Sequence, residues 1–74
     1  MEEVKSSFSR KELKNFLKEL ARQVESGKVA IEIPGYSKGK AKIKPEQPID
    51  VVFTREKEER RMTIEIELND HREL

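Results

Sequence analysis

The most prominent chemical feature of this sequence is a run of alternating lysines followed by a second basic cluster. Lys40, Lys42 and Lys44 share one face of a strand, as a stripe that follows a nucleic-acid backbone would require. The complete set of candidate polyanion contacts is Lys38, Lys40, Lys42, Lys44, Arg55, Arg60 and Arg61. Sheets that bind nucleic acid usually add aromatic side chains, and only Tyr36 lies near the lysines, so a solvated surface is the competing interpretation.

Three other groups of residues resemble fragments of functional sites. The loop 35–40 contains two glycines and two lysines, but its spacing and the strand after it do not fit a phosphate-binding loop. Glu65 and Glu67 share a strand face, yet an open face offers no burial to separate their pKa values. His71 is the only histidine and the chain has no cysteine, so a zinc site is not expected. We therefore expect no enzyme activity, no metal and no cofactor.

The composition is that of one small, highly charged domain. The 74 residues are 34% hydrophobic and 42% charged, and the 16 basic and 15 acidic side chains leave a net charge of +1. Such a balance gives no general attraction to nucleic acid or to an anionic membrane. Neither an apolar stretch of membrane-spanning length nor the apolar centre of a signal peptide is present. A soluble cytoplasmic protein without membrane association is the expectation.

One segment has the start signal, the periodicity and the stop signal of an amphipathic helix. Ser9 and Glu12 have the spacing of a capping box, and Gly27 can take the left-handed conformation that ends a helix. The apolar positions between them follow helical spacing; they are Leu13, Phe16, Leu17, Leu20 and Val24. The sequence therefore predicts one helix between Ser9 and Gly27.

The remainder of the chain predicts four short strands. Segments 28–33, 40–44, 49–54 and 62–68 alternate apolar and polar residues and are separated by turn or charged segments. Short connections favour antiparallel pairing of sequential strands. We predict an α+β fold in which the N-terminal helix packs on one face of a four-stranded antiparallel meander. The domain spans 8–68, with a lead-in at 1–7 and a tail at 69–74.

The capped helix, the junction "ESGKVAIEIPG" and the last strand "MTIEIEL" together resemble the amphi-Trp domain of archaea and bacteria. The likeness covers about residues 8–68. This chain departs from the family in having no tryptophan after the last strand, where Asn69 lies in that neighbourhood. The resemblance implies a divergent member with the same α+β fold, and it supplies no catalytic residues.

Two functions of different classes follow. The first is a small protein-interaction module, with a homodimer as one form, that presents an open sheet face and free strand edges. Its predicted interface consists of Val52, Thr63 and Glu65, and its partner is not identified. The alternative is weak, sequence-independent binding of nucleic acid through the basic sheet face and hairpin loop.

Overall fold

The computed structural model describes residues 3–33 and 39–71. Within these ranges the chain forms one helix and four strands. They are α1 (Arg10–Ser26), β1 (Val29–Glu32), β2 (Lys40–Ile43), β3 (Asp50–Glu56) and β4 (Arg61–Glu67). The predicted α+β class, with one N-terminal helix and four antiparallel strands, is confirmed.

Both ends of α1 are closed by the residues that the sequence indicated. The Ser9 hydroxyl accepts a hydrogen bond from the Glu12 backbone N–H, and a Glu12 carboxylate oxygen accepts one from the Ser9 N–H, both at 3.1 Å. Gly27 has φ +85°, and its N–H donates to the carbonyl of Val24 at 3.1 Å. The capping box and the left-handed glycine therefore satisfy backbone groups that a helix leaves without partners at its ends.

The four strands form two separate two-stranded sheets. In the first sheet β1 pairs with β2, with Val29 opposite Ile43. In the second, β3 pairs with β4, with Phe53 opposite Ile64. The prediction of one continuous meander was wrong in this respect, because β3 does not turn back to lie beside β2. We call the β3–β4 hairpin, residues 50–67, the arm.

A short paired segment joins the two sheets. The Glu46 N–H donates to the Asn69 carbonyl at 2.8 Å, the His71 N–H donates to the Lys44 carbonyl at 2.7 Å, and Pro45 forms an antiparallel bridge with Asp70. Residues 69–71, which the sequence predicted as part of a tail, are therefore paired to the chain that follows β2. We call residues 44–46 and 69–71 the junction.

The junction explains why the meander does not form. Pro45 and Pro48 have no backbone N–H to contribute to a ladder. The strand leaving β2 runs on into the arm, and its partner is the segment that follows β4. The segment from Pro45 to Asp50 is two residues longer than the segment from Glu67 to Asp70, with which it pairs at both ends. The longer segment forms a bulge, so the pairing register differs between the junction and the arm.

The core lies between α1 and the first sheet and is very small. Among the described residues, Val29 is the only buried hydrophobic side chain, at 2% exposure. The side-chain carbonyl of Gln23 accepts a hydrogen bond from the Ala30 backbone N–H at 2.7 Å. A helix side chain therefore satisfies one backbone N–H at the free edge of β1. The Phe8 and Phe16 rings stack with centroids 5.6 Å apart at the other end of the helix.

The chain exposes far more surface than its mass predicts. Its accessible surface is 7322 Å², whereas a folded monomer of 8.7 kDa typically exposes about 4,700 Å². Subtracting the fully extended area of the ten residues outside the described ranges, about 1,700 Å², still leaves a surplus of about 900 Å². The radius of gyration, 14.2 Å, likewise exceeds the roughly 11 Å of a compact chain of this length.

Candidate interaction surface

One face of the arm is almost entirely apolar and open to solvent. The alternation of β3 and β4 places the apolar side chains on the same face; they are Val51, Phe53, Met62, Ile64 and Ile66. Phe53, Met62 and Ile64 are 73%, 63% and 55% exposed. Isolated exposed apolar residues are common on proteins, whereas a contiguous exposed apolar face is more typical of interaction surfaces.

The opposite face of the arm is polar and mainly acidic. Strand alternation places Asp50, Val52, Thr54, Glu56, Arg61, Thr63, Glu65 and Glu67 on this face. Val52 and Glu65 are cross-strand partners, and Thr63 lies opposite Thr54. The predicted protein interface, Val52 with Thr63 and Glu65, is therefore on this acidic face and remains a prediction. The apolar face was predicted to lie in the core, and its exposure was not predicted.

The helix presents the second apolar surface. Leu13 and Leu17 are 42% and 47% exposed, and they lie between the basic side chains of Arg10, Lys14 and Lys18. Among the described residues, no Cα atom of α1 lies within 8 Å of a Cα atom of β3 or β4. The apolar stripe of the helix, which the sequence predicted to cover the sheet, covers only the first sheet.

An open groove separates the helix from the base of the arm. Its volume is about 490 Å³. The apolar side chains that line it are Leu17, Leu20, Ala21 and Val24 from the helix, Val51 and Ile66 from the arm, and Ile49 and Leu68 from the residues that adjoin the arm. The walls are therefore apolar on both sides, and Glu25 is the only charged residue in the lining among those that the structure describes.

The seven predicted polyanion contacts do not form one surface. Lys38 lies outside the described residues. Arg60 and Arg61 are at the tip of the arm, where Arg61 forms an ion pair with Glu59 at 3.0 Å, and Arg55 lies at the distal end of the apolar face. Lys40 lies opposite Glu32, and its charge also acts on Glu19. The basic residues are thus divided between the first sheet and the arm, and several have acidic neighbours.

A basic groove lies on the first sheet. It has a volume of about 700 Å³ and is lined by Lys28, Val29, Ala30, Lys42, Ile43, Lys44, Asp70 and His71. Lys28 and Lys44 flank the Val29–Ile43 pair, so the register places them opposite each other. Neither Lys28, Lys42 nor Lys44 has an ion-pair partner within 3–33 and 39–71. Lys28 was not among the predicted polyanion contacts, although the register of β1 and β2 would have placed it beside them.

The helix surface carries the strongest electrostatic perturbation among the described groups. Hydrogen bonds from the Arg22 guanidinium, and then from the Gln23 amide, lower the pKa of Glu19 to about 2. The same Gln23 side chain accepts the Ala30 N–H through its carbonyl oxygen. Glu19 therefore orients the side-chain amide of Gln23, which connects the helix to β1.

The described residues contain neither a cluster of three potential metal-ligating side chains nor a helix long and apolar enough to cross a membrane. His71 lies near Glu46, with Nδ1 3.5 Å from a carboxylate oxygen, and the neighbouring Asp70 carboxylate accepts the Lys44 N–H. These side chains serve the junction between the two sheets.

No protein-family model, curated protein sequence or solved structure matches this chain. The resemblance to the amphi-Trp domain therefore stays a prediction.

Proposed function

We propose that this protein is a protein-interaction module that works by self-association, with the apolar face of the arm as the principal contact surface. The observation that carries the proposal is the surface surplus, together with Val29 as the single buried hydrophobic side chain within 3–33 and 39–71. A standard interface removes about 800 Å² from each partner, and obligate homodimers remove more. The surplus of this chain is at least that large.

The charges of the helix and the arm, as well as the surplus of exposed area, favour a second copy of this chain over an unrelated partner. The helix carries five basic and three acidic side chains, whereas the arm carries four basic and six acidic ones. Each chain therefore has a slightly positive and a slightly negative apolar element. Two copies of this chain supply complementary surfaces to one another without a further component.

Closure of the arm onto its own helix is the competing arrangement, and the junction opposes it. Three hydrogen bonds hold residues 44–46 against residues 69–71, and they fix the direction in which the arm leaves the first sheet. These bonds oppose a rotation of the arm that starts at residues 44–46 and 69–71. Each bond contributes about 0.5–1.5 kcal/mol.

Sedimentation velocity over a range of protein concentrations tests self-association. We expect a concentration-dependent dimer, and we expect Phe53→Asp to weaken it at least about 30-fold because a charge then replaces a central apolar contact. Thr54→Asp is the matched control, since Thr54 is the next residue and lies on the other face of the arm. A wild-type protein that stays monomeric at high micromolar concentration, or equal effects of the two substitutions, would contradict the proposal.

Weak binding of a polyanion at the basic groove is a second candidate function. The observation in its favour is the placement of Lys28, Lys42 and Lys44 around one groove without carboxylate ion-pair partners among the described residues. Like charges directly opposite on a sheet repel each other, and a bound phosphodiester backbone relieves that repulsion.

The salt dependence of binding to duplex DNA tests this candidate. Three phosphate contacts predict a slope of log affinity against log salt near about −2.7. Lys42→Ser should reduce the slope by about one contact, whereas Lys40→Ser serves as the control because Lys40 lies opposite Glu32. An unchanged slope in Lys42→Ser, or an equal change in both variants, would contradict binding at this groove.

A further inference from the structure

We infer that the two copies associate by reciprocal exchange: the arm of each chain packs on the helix of the other. This inference rests on the proposed self-association and specifies its geometry. The two surfaces involved are the distal apolar side chains of the arm, Phe53, Met62 and Ile64, and the N-terminal half of the helix around Leu13 and Leu17.

Each chain has two apolar surfaces that it does not bring together, one on the helix and one on the distal part of the arm. Leu17 belongs both to the groove at the base of the arm and to the exposed depression near the start of the helix. The distal arm residues lie beyond the groove, since its arm wall reaches only to Val51 and Ile66. The groove therefore continues on the helix side as an open apolar strip, and its own arm does not cover that strip.

Charge around the strip favours the arm of another copy. Arg10, Lys14 and Lys18 surround Leu13 and Leu17, and the arm carries Glu56, Glu65 and Glu67 on the face behind its apolar side chains. An arm laid on the strip brings its apolar face to the leucines, and the arm as a whole carries more acidic than basic side chains beside the basic rim of the strip. Two arms laid against each other would instead bring together two elements with the same excess of acidic side chains.

Two-fold symmetry makes the exchange self-consistent. In an isologous dimer, a contact from the arm of one copy to the helix of the other is repeated by the reverse contact. Each chain then uses both of its uncovered apolar surfaces, and neither remains exposed in the dimer. An arm-to-arm dimer would leave Leu13 and Leu17 exposed in both copies.

Mixing two defective variants tests the exchange. Phe53→Asp damages only the arm, and Leu17→Asp damages only the helix. In the exchanged dimer each variant alone loses both contacts, so each should dissociate at least about 30-fold more readily. An equimolar mixture should regain a heterodimer, because one contact then joins an intact arm to an intact helix. Native mass spectrometry with one isotopically labelled variant identifies that heterodimer.

Each possible outcome of this experiment decides a separate question. A wild-type protein that is monomeric removes both the proposed function and the exchange. A wild-type dimer with a Leu17→Asp variant that still dimerises retains self-association and overturns the exchange in favour of arm-to-arm contact. A dimeric Phe53→Asp variant overturns it in favour of contact between helices. Two monomeric variants that do not combine also overturn it.

Two control substitutions and a disulfide experiment distinguish loss of association from loss of folding. Thr54→Asp and Asn15→Asp place the same charge on the opposite faces of the arm and the helix, and they should leave association unchanged. The chain has no cysteine, so single-cysteine variants can be mixed and oxidised. Leu17→Cys should form mixed disulfides with Ile64→Cys in preference to the homodisulfides of either variant; a preference for the Ile64→Cys homodisulfide would contradict the exchange.

Discussion

The Asp70 carboxylate accepts a hydrogen bond from the Lys44 backbone N–H at 2.8 Å, across 26 positions of sequence. This contact connects the residue after β2 with the segment after β4, and two backbone hydrogen bonds accompany it at the junction. The junction is the only place among the described residues where the second sheet is hydrogen-bonded to the rest of the chain. The direction of the arm, and hence its exposed apolar face, depends on it.

Asp70→Ala should weaken the junction. The substitution leaves the Lys44 N–H without its carboxylate acceptor, and we expect a loss of about 1 kcal/mol in the free energy of unfolding. Hydrogen exchange should accelerate at the amide of Lys44. Asp70→Asn is the control because the amide oxygen can still accept this bond, and exchange that is equally fast in both variants would show that the bond does not hold the junction.

Gln23→Met should loosen the helix from the edge of β1. Methionine keeps the side-chain length and the helix propensity but does not replace the carbonyl that accepts the Ala30 N–H. We expect a loss of about 1 kcal/mol in unfolding free energy and faster hydrogen exchange at Ala30. The amides of Val29 and Ile31 serve as internal controls, since antiparallel alternation directs them towards β2. Unchanged exchange at Ala30 would contradict the contact.

Acid should destabilise the helix as Glu19 takes up a proton. The pKa of Glu19 is lowered from 4.5 to about 2 by the Arg22 and Gln23 hydrogen bonds, so the carboxylate stabilises the folded state fully above pH 4.5. This stabilisation is lost as the pH falls from 4.5 to about 2. Circular dichroism at 222 nm during thermal unfolding should show a smaller pH dependence for Glu19→Gln than for the wild type. Equal pH dependence would show that Glu19 is not coupled to folding.

Arg60→Gly should stabilise the arm. Arg60 ends the turn between β3 and β4 with φ +53°, a conformation that costs a non-glycine residue about 1–2 kcal/mol. Glycine removes this cost but adds flexibility to the unfolded chain, so we expect a net gain of about 0.5 kcal/mol. Chemical denaturation measures the difference. Lys57→Gly, at a turn position without positive φ, should destabilise, and a loss of stability in Arg60→Gly would contradict the strain.

The features that were predictable from the sequence are those set by neighbouring residues. Ser9, Glu12 and Gly27 determine where the helix begins and ends because the groups they satisfy lie within one turn of the chain. The alternation in β3 and β4 correctly separates the apolar from the polar side chains, because successive residues of a strand point to opposite faces. The sequence also predicted the number of strands and the antiparallel pairs β1–β2 and β3–β4, but it wrongly predicted that β2 and β3 pair as well.

Only the tertiary structure decided which surfaces meet. Alternation shows that Phe53 and Ile64 share a face, but it does not show whether the helix covers that face. That outcome depends on Asp70 and its neighbours, which pair with the chain after β2 through contacts distant in sequence. The sequence by itself therefore determined the local elements and their apolar faces, whereas the long-range hydrogen bonds of the junction decided that the face of the arm remains open.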